Sequence, residues 1–197
     1  MDEYSRKTGF AELADRRFSL RRYGAKPVPA EAFAQCLEAA RRAPSACNSQ
    51  PWHFIVVQDP ERRRELAELT VPPGGVMNGF VADAPALVAI VAERPNIASQ
   101  IGAALKNKPF YLIDIGIAAE HFCLQATDLG LGTCMIGWFA EKKTRHLLGI
   151  PSGKRPVLLI TLGYPPEGSL RDAEKHSRRK DLHAIASAER YGNPVQY

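Results

Sequence analysis

Three stretches of the chain hold residue types whose spacing could do chemistry. The first is Arg16-Arg17-Phe18-Ser19-Leu20-Arg21-Arg22-Tyr23. Side chains alternate along extended backbone, so Arg17, Ser19 and Arg21 would share one face. Two guanidinium forks and a hydroxyl match the oxygens of a phosphate ester. The same residues also read as a solvated charged surface, and spacing alone favours that reading. The second stretch, Pro44-Ser45-Ala46-Cys47-Asn48-Ser49-Gln50-Pro51-Trp52, is dense in hydroxyls and amides. An amide offers a donor and an acceptor, as the edge of a heterocycle requires. Ser and Asn equally satisfy their own backbone in turns, and composition by itself favours the turn. The third, Gly130 to Phe139 (GLGTCMIGWF), has glycines that let backbone N–H groups approach a ligand, or simply a helix stop followed by a strand. It has neither GxGxxG nor P-loop spacing, which argues against a dinucleotide fold or a nucleoside triphosphatase. Cys47 and His53 fall on different local elements and make a poor thiol–imidazole pair. His121 and Cys123 read as core.

Elements must position these groups. Thr8 to Arg16 has helical spacing, and Pro29 opens a helix to about Arg42 with Phe33, Cys36, Leu37 and Ala40 on one face. Ala43-Pro44 ends it. Trp52 to Gln58 (WHFIVVQ) predicts a strand, Pro60 to about Thr70 a charged surface helix, and Val71 to Gly79 a loop. Ala86 to Val91 (ALVAIV) suits a strand buried on both faces. Arg94 to Lys108 has no clear pattern. Phe110 to Leu129 is apolar nearly all round, which places that helix in the interior. Thr133 to Phe139 is a short strand or extended loop, Glu141 to Leu148 a helix, and Pro156 to Gly163 a buried strand. The sum is an α+β chain of four strands and about five helices, its sheet between helix layers.

The chain has 197 residues, 45% of them hydrophobic and 24% charged, which predicts one domain over 1–197 and excludes wholesale disorder. The net charge of +5 suits an anionic small ligand as well as it suits nucleic acid. No run of about 18 uncharged apolar residues predicts a membrane span. The acidic start, Met1-Asp2-Glu3, does not resemble a signal peptide. The four cysteines include no CxxC and read as reduced thiols of a cytoplasmic protein, with no metal site. A basic tail over about 168–197 has little core material.

Taken together, the segments resemble the FMN-dependent nitroreductase family. The carriers are Arg17-Phe18-Ser19-Leu20-Arg21-Arg22-Tyr23, then Arg42-Ala43-Pro44-Ser45-Ala46-Cys47-Asn48-Ser49-Gln50-Pro51-Trp52, then Gly130-Leu131-Gly132 with Cys134 and Ile136-Gly137-Trp138, then Leu162-Gly163-Tyr164-Pro165 before Arg178-Arg179-Lys180. These matches occur in order across about residues 16 to 182, and the second is the strongest. The resemblance implies an α/β sandwich with a central, mostly antiparallel sheet flanked by helices, forming an intertwined homodimer with FMN at the interface. By the same resemblance, Arg17, Ser19 and Arg21 would hold the phosphate and ribityl chain. Pro44, Ser45, Ala46 and Asn48, with Arg42, would approach the ring from the other subunit. Met135, Ile136, Gly137 and Trp138 would lie against the ring, with a backbone N–H of Gly137 or Trp138 near N5. Arg179, less directly Arg178, would cross to the phosphate from the tail. Asn78, Lys106 and Lys108 are candidates for one further polar contact.

Such a protein would use NAD(P)H to reduce nitroaromatic, quinone or similar electron-poor acceptors by a ping-pong route. The flavin would do the chemistry, so no catalytic side chain is expected. A specialised relative, such as a dehalogenase, a flavin-destroying enzyme or a dehydrogenase, is the alternative of the same kind. A nucleic-acid module using Arg16, Arg17, Arg21, Arg22 and Arg178 to Lys180 is the alternative of another kind. It lacks a recognition helix, an RNP motif and an aromatic platform, so no nucleic-acid partner is expected.

Overall fold

The computed structural model describes residues 9–72, 74–75, 77–106, 108–167 and 179–195. The ordered elements are α1 (Phe10–Arg16), α2 (Ala30–Arg41), β1 (Trp52–Val57), α3 (Pro60–Glu68), β2 (Ala86–Ala92), α4 (Ile97–Lys106), α5 (Phe110–Asp128), β3 (Gly132–Ile136), α6 (Glu141–Leu147) and β4 (Arg155–Gly163). The strands form one sheet in the order β1-β2-β4-β3, and every neighbouring pair is antiparallel. This is an α+β sandwich, as expected.

Central strand β2 explains the layering. Ala86 through Ile90 are wholly buried. Period-two alternation sends Ala86, Val88 and Ile90 to one face and Leu87 and Ala89 to the other. The first face meets α2 and α5, through Phe33, Cys36, Ala40, Ile115, Ala119 and Phe122. The second meets α3, with Leu66 and Ala67, and the end of α6, with Leu147 and Leu148. Each large aliphatic side chain so buried contributes about 1.5–3 kcal/mol. Asp59 caps α3 by accepting the Arg62 N–H at 2.9 Å, and Pro60 stands at the first helical position.

The reading of α5 as an all-round interior helix is corrected. Asp114, Ile115, Ala118, Ala119, Phe122, Cys123, Ala126 and Thr127 make one buried stripe, whereas Leu112 and Ile113 are 42% and 48% exposed. The stripe alone fills the contact with α2 and the sheet, so among the described residues nothing buries the apolar residues on the far side. The unassigned segment Arg94 to Lys108 contains α4, whose Ile97, Ile101 and Leu105 form an exposed stripe at four-residue spacing.

Candidate functional site

Residues 17–23 are extended and ride on the end of β3. Ser19 bridges Thr133 in parallel, and the Leu20 N–H donates to the Thr133 carbonyl at 2.8 Å. The Leu20 side chain is buried against Gly132, and a Cβ there would collide with it. The Tyr23 hydroxyl donates to the Leu20 carbonyl at 2.7 Å and shares a short hydrogen bond with Thr161 Oγ1, which accepts the Cys134 N–H at 2.9 Å. Burial pushes the Tyr23 phenol well above its ordinary range.

With Leu20 turned inward, its neighbours face the other way. Arg17, Ser19 and Arg21 all act on the Cys134 thiol. Burial pushes that thiol up, and Arg21, the Ser19 hydroxyl and Arg17 pull it back. All three therefore lie within electrostatic reach of one thiol at the sheet end, although the two guanidiniums take different partners. Arg17 Nε lies 3.2 Å from Glu120 of α5, and the Arg21 guanidinium sits 5.8 Å from the Phe80 ring centroid. Burial raises the Glu120 carboxyl, with Arg17 opposing.

Beside this cluster lies the loop after β3. Met135 and Trp138 are exposed, Ile136 is buried in the sheet, and open space surrounds the position of a Cβ on Gly137. The loop is moored from below: Asn78 Nδ2 donates to the Thr70 carbonyl at 3.0 Å and to the Trp138 carbonyl at 3.4 Å, and the Ala140 N–H donates to Leu69 at 2.8 Å. Asn78 does this from a left-handed conformation.

The Pro44–Gln50 stretch makes a 3-10 turn over Ala46–Asn48. Cys47, Asn48 and Gln50 have φ of 52°, 51° and 45° without being glycine. Such backbone costs on the order of 1–3 kcal/mol per residue and persists where its surroundings over-determine it. Ser45 Oγ accepts the Gln50 N–H at 2.9 Å, and Asp114 Oδ1 accepts the Ala46 N–H at 3.1 Å. Asn96 binds the far side, as described below. Pro44, Cys47 and Asn48 are exposed, and Ser45 and Ala46 are half-buried. Arg42 is exposed and donates from Nε to Glu38 at 2.8 Å.

The predicted residues thus fall into groups. Arg17, Ser19 and Arg21 cluster, and Met135 to Trp138 follow directly from the strand beneath them. The loop bearing Pro44, Ser45, Ala46 and Asn48 is tied through the Ala46 N–H to Asp114 of α5, whereas Arg17 pairs with Glu120, roughly 9 Å further along the helix axis, and Arg42 stays on Glu38 of α2. Arg179 is exposed at the start of the described tail, and Arg178 lies outside the described residues. Sequence reasoning did not find Asn96 or Asp114 as loop anchors. Asn96 did leave a signal, since an Asn immediately before Ile97, the first residue of the Ile97, Ile101, Leu105 stripe, is a helix-start pattern. Asp114 was visible only as a carboxylate in an apolar helix.

Fold and site define a class: an antiparallel sheet between helix layers, with a cationic cradle and an exposed Gly–Trp loop at one sheet end. The Nitroreductase family profile matches residues 14–72 and 74–164, more than half of the chain, and the chain belongs to that family. It is 34% identical over 166 residues to a putative NADH dehydrogenase/NAD(P)H nitroreductase of Methanothermobacter thermautotrophicus, covering 82% of this chain and 80% of the relative. An FMN reductase [NAD(P)H] of Bacillus subtilis is 30% identical over 166 residues, covering 81% of this chain and 66% of the relative. Among solved structures, a nitroreductase family protein from Clostridium novyi NT superposes with a TM-score of 0.70 at 29% identity, covering 94% of this chain and 96% of that one.

Proposed function

We propose that this chain works as a homodimer that binds FMN between its subunits and passes electrons from NAD(P)H to an electron-poor acceptor, such as a nitroaromatic or a quinone, in two half-reactions. It is an FMN-dependent NAD(P)H oxidoreductase. The observation that carries the reading is the seating of the Arg17–Arg21 segment on β3, through Ser19 and Leu20 at Thr133, on the strand that leads to the exposed Met135 and Trp138. The donor set fits the group. A phosphomonoester brings nearly two negative charges, and paired guanidiniums with a hydroxyl meet them with charge-assisted hydrogen bonds.

Bound FMN supplies hydride acceptance at N5 and electron delivery to the acceptor. The chain's own residues bind, orient and enclose. Arg17, Ser19 and Arg21 hold the phosphate, joined by Arg179 and Arg178 of the tail. A backbone N–H of Gly137 or Trp138 would donate a hydrogen bond to N5 of the bound flavin. Met135 and Trp138 form the apolar bed under the ring, while Ile136, expected there too, is buried in the sheet core instead. Pro44, Ser45, Ala46, Asn48 and Arg42 cover it from the second copy, across the exposed Leu112 and Ile113 strip of α5. An exposed bed of this kind would admit the nicotinamide and the acceptor in turn. Among the described residues no helix is long and apolar enough to cross a membrane, and a cytoplasmic setting suits the free cysteines.

The test is direct. The purified protein is expected to be yellow, to release FMN on denaturation and to bleach with NADPH under anaerobic conditions. A colourless protein that neither takes up FMN nor bleaches would sink the assignment. An acceptor panel run with NADH and with NADPH separates nitro or quinone reduction from reductive dehalogenation.

A further inference from the structure

Loop 45–50 is held from outside by two residues that belong to no sequence motif. Asp114 is 5% exposed; its Oδ1 takes the Ala46 N–H, and its Oδ2 has no hydrogen-bond partner. At the head of α4, Asn96 makes three bonds besides the helical one that its carbonyl accepts from the Gln100 N–H at 3.0 Å. Its N–H donates to Ser49 Oγ at 2.8 Å, its Nδ2 donates to the Cys47 carbonyl at 2.9 Å, and its Oδ1 accepts the Ser99 N–H at 2.9 Å. The first two reach back to the loop, and the third caps α4. One side chain therefore welds the exposed apolar helix to the residues in left-handed conformation.

We propose that Asn96 is a positioning residue for the flavin-facing loop: it fixes Cys47 and Asn48 in their left-handed conformation and makes α4 and the loop one unit, with Asp114 as the second anchor. The inference rests on the proposed flavin site for its functional consequence. The geometry assigns two separable duties to one amide. Nδ2 pins the loop, and Oδ1 caps the helix.

Two substitutions pull these duties apart. Asn96→Asp keeps an oxygen for the Ser99 N–H and favours the helix N-terminus by charge, but it replaces the donor to Cys47 with an acceptor facing an acceptor. Asn96→Ala removes both. Two readouts are taken on the full-length protein: FMN affinity by titration of the stripped protein, and the iodoacetamide rate at Cys47 without FMN. Both variants are expected to lose FMN affinity by about tenfold, the effect of one net hydrogen bond, and to modify faster at Cys47. Only Asn96→Ala is expected to lower the melting temperature. Ser49→Ala, which removes the other contact, is expected to speed Cys47 modification while leaving the cap intact. If Asn96→Asp keeps both the parental FMN affinity and the parental Cys47 rate, Asn96 is a helix cap only and the proposal is overturned. A faster Cys47 with unchanged FMN affinity overturns the flavin-facing part. If the parental protein binds no FMN, the proposed function fails, while the Cys47 rate still decides whether Asn96 pins the loop.

Discussion

Residues 17–23 and residues 45–50 both present polar side chains from irregular backbone, yet they are held in place differently. The arginine segment is an added ribbon on the sheet: backbone bonds to Thr133, a buried Leu20, and Tyr23 joined to Thr161. Loop 45–50 has no strand beneath it. It has left-handed residues and a few long-range side-chain bonds, from Asp114 and Asn96. A binding group that must not move belongs on a sheet. A group that must close over a ligand is better placed on a strained loop, because local opening draws on weakly anchored segments. Under the proposed function, phosphate affinity would reside in the first region and ring coverage in the second.

The comparison can be broken most sharply through its thiols, since each region has one. Cys134 lies at 4% exposure beneath the arginines with its thiol pushed up, whereas Cys47 is exposed on the loop. Cys36 and Cys123 are pushed up to about 12, chiefly by burial. At pH 8, Cys47 should react with a maleimide on the order of 1,000-fold faster than the other three, which must wait for local opening. Peptide mapping by mass spectrometry identifies the site, and FMN should slow it. Comparable rates at Cys134 would mean that the sheet-borne region opens as readily as the loop.

Next in size is the charge itself. Replacing Arg17 and Arg21 together by Ala should weaken FMN binding by on the order of 100-fold or more, because each charge-assisted bond is worth about 1.5–3 kcal/mol. Ser45→Ala with Asn48→Ala should cost about tenfold at most. Fluorescence titration of stripped protein measures both. The reverse ranking would put the affinity in the loop.

How much of this was legible in the chain follows the same division. That Arg17, Ser19 and Arg21 lie near one thiol accords with alternation, a local rule, and the β2 run of ALVAIV announced a strand buried on both faces. α4 was not readable, since Ile97, Ile101 and Leu105 make a helical stripe with no core beneath it, and nothing in their spacing says what they face. The left-handed turn at Cys47, Asn48 and Gln50 was opaque for a related reason. No glycine marks it, and the carboxylate that anchors it comes from Asp114, 68 positions beyond Ala46. α5 misled through composition: an apolar residue reads the same whether its own chain buries it or not.

A backbone test comes third. Gly132→Ala would drive a methyl into Leu20. Overpacking of that kind destabilises by about 1–3 kcal/mol, and it should lift the arginine segment off β3. Urea unfolding gives the stability, and FMN titration should fall with it while the Cys47 rate holds. Adding Leu20→Gly removes every Leu20 side-chain atom that the methyl would meet, so the double variant should be less damaged than the sum of the singles. An additive result would mean that Leu20 is not what Gly132 accommodates.

The smallest expected effect concerns Glu120, the acid that shares Arg17 with the proposed phosphate. Burial raises its carboxyl above the ordinary value of 4.5, with Arg17 and then His121 opposing. A raised acid contributes stability that is fully present below 4.5 and is lost as the pH climbs through the folded-state value. Glu120→Gln does not titrate, so its stability relative to the parental protein should improve steadily from pH 4 to pH 7. The gain should be slight, because the side chain is 42% exposed and solvent screens it. At pH 7 the same change frees Arg17 from a competing anion, and FMN affinity should rise by about two- to threefold, a few tenths of a kcal/mol. A fall in affinity would show that Glu120 aims Arg17 rather than competing for it. The arginine region would then depend, like the loop, on a side-chain anchor drawn from α5.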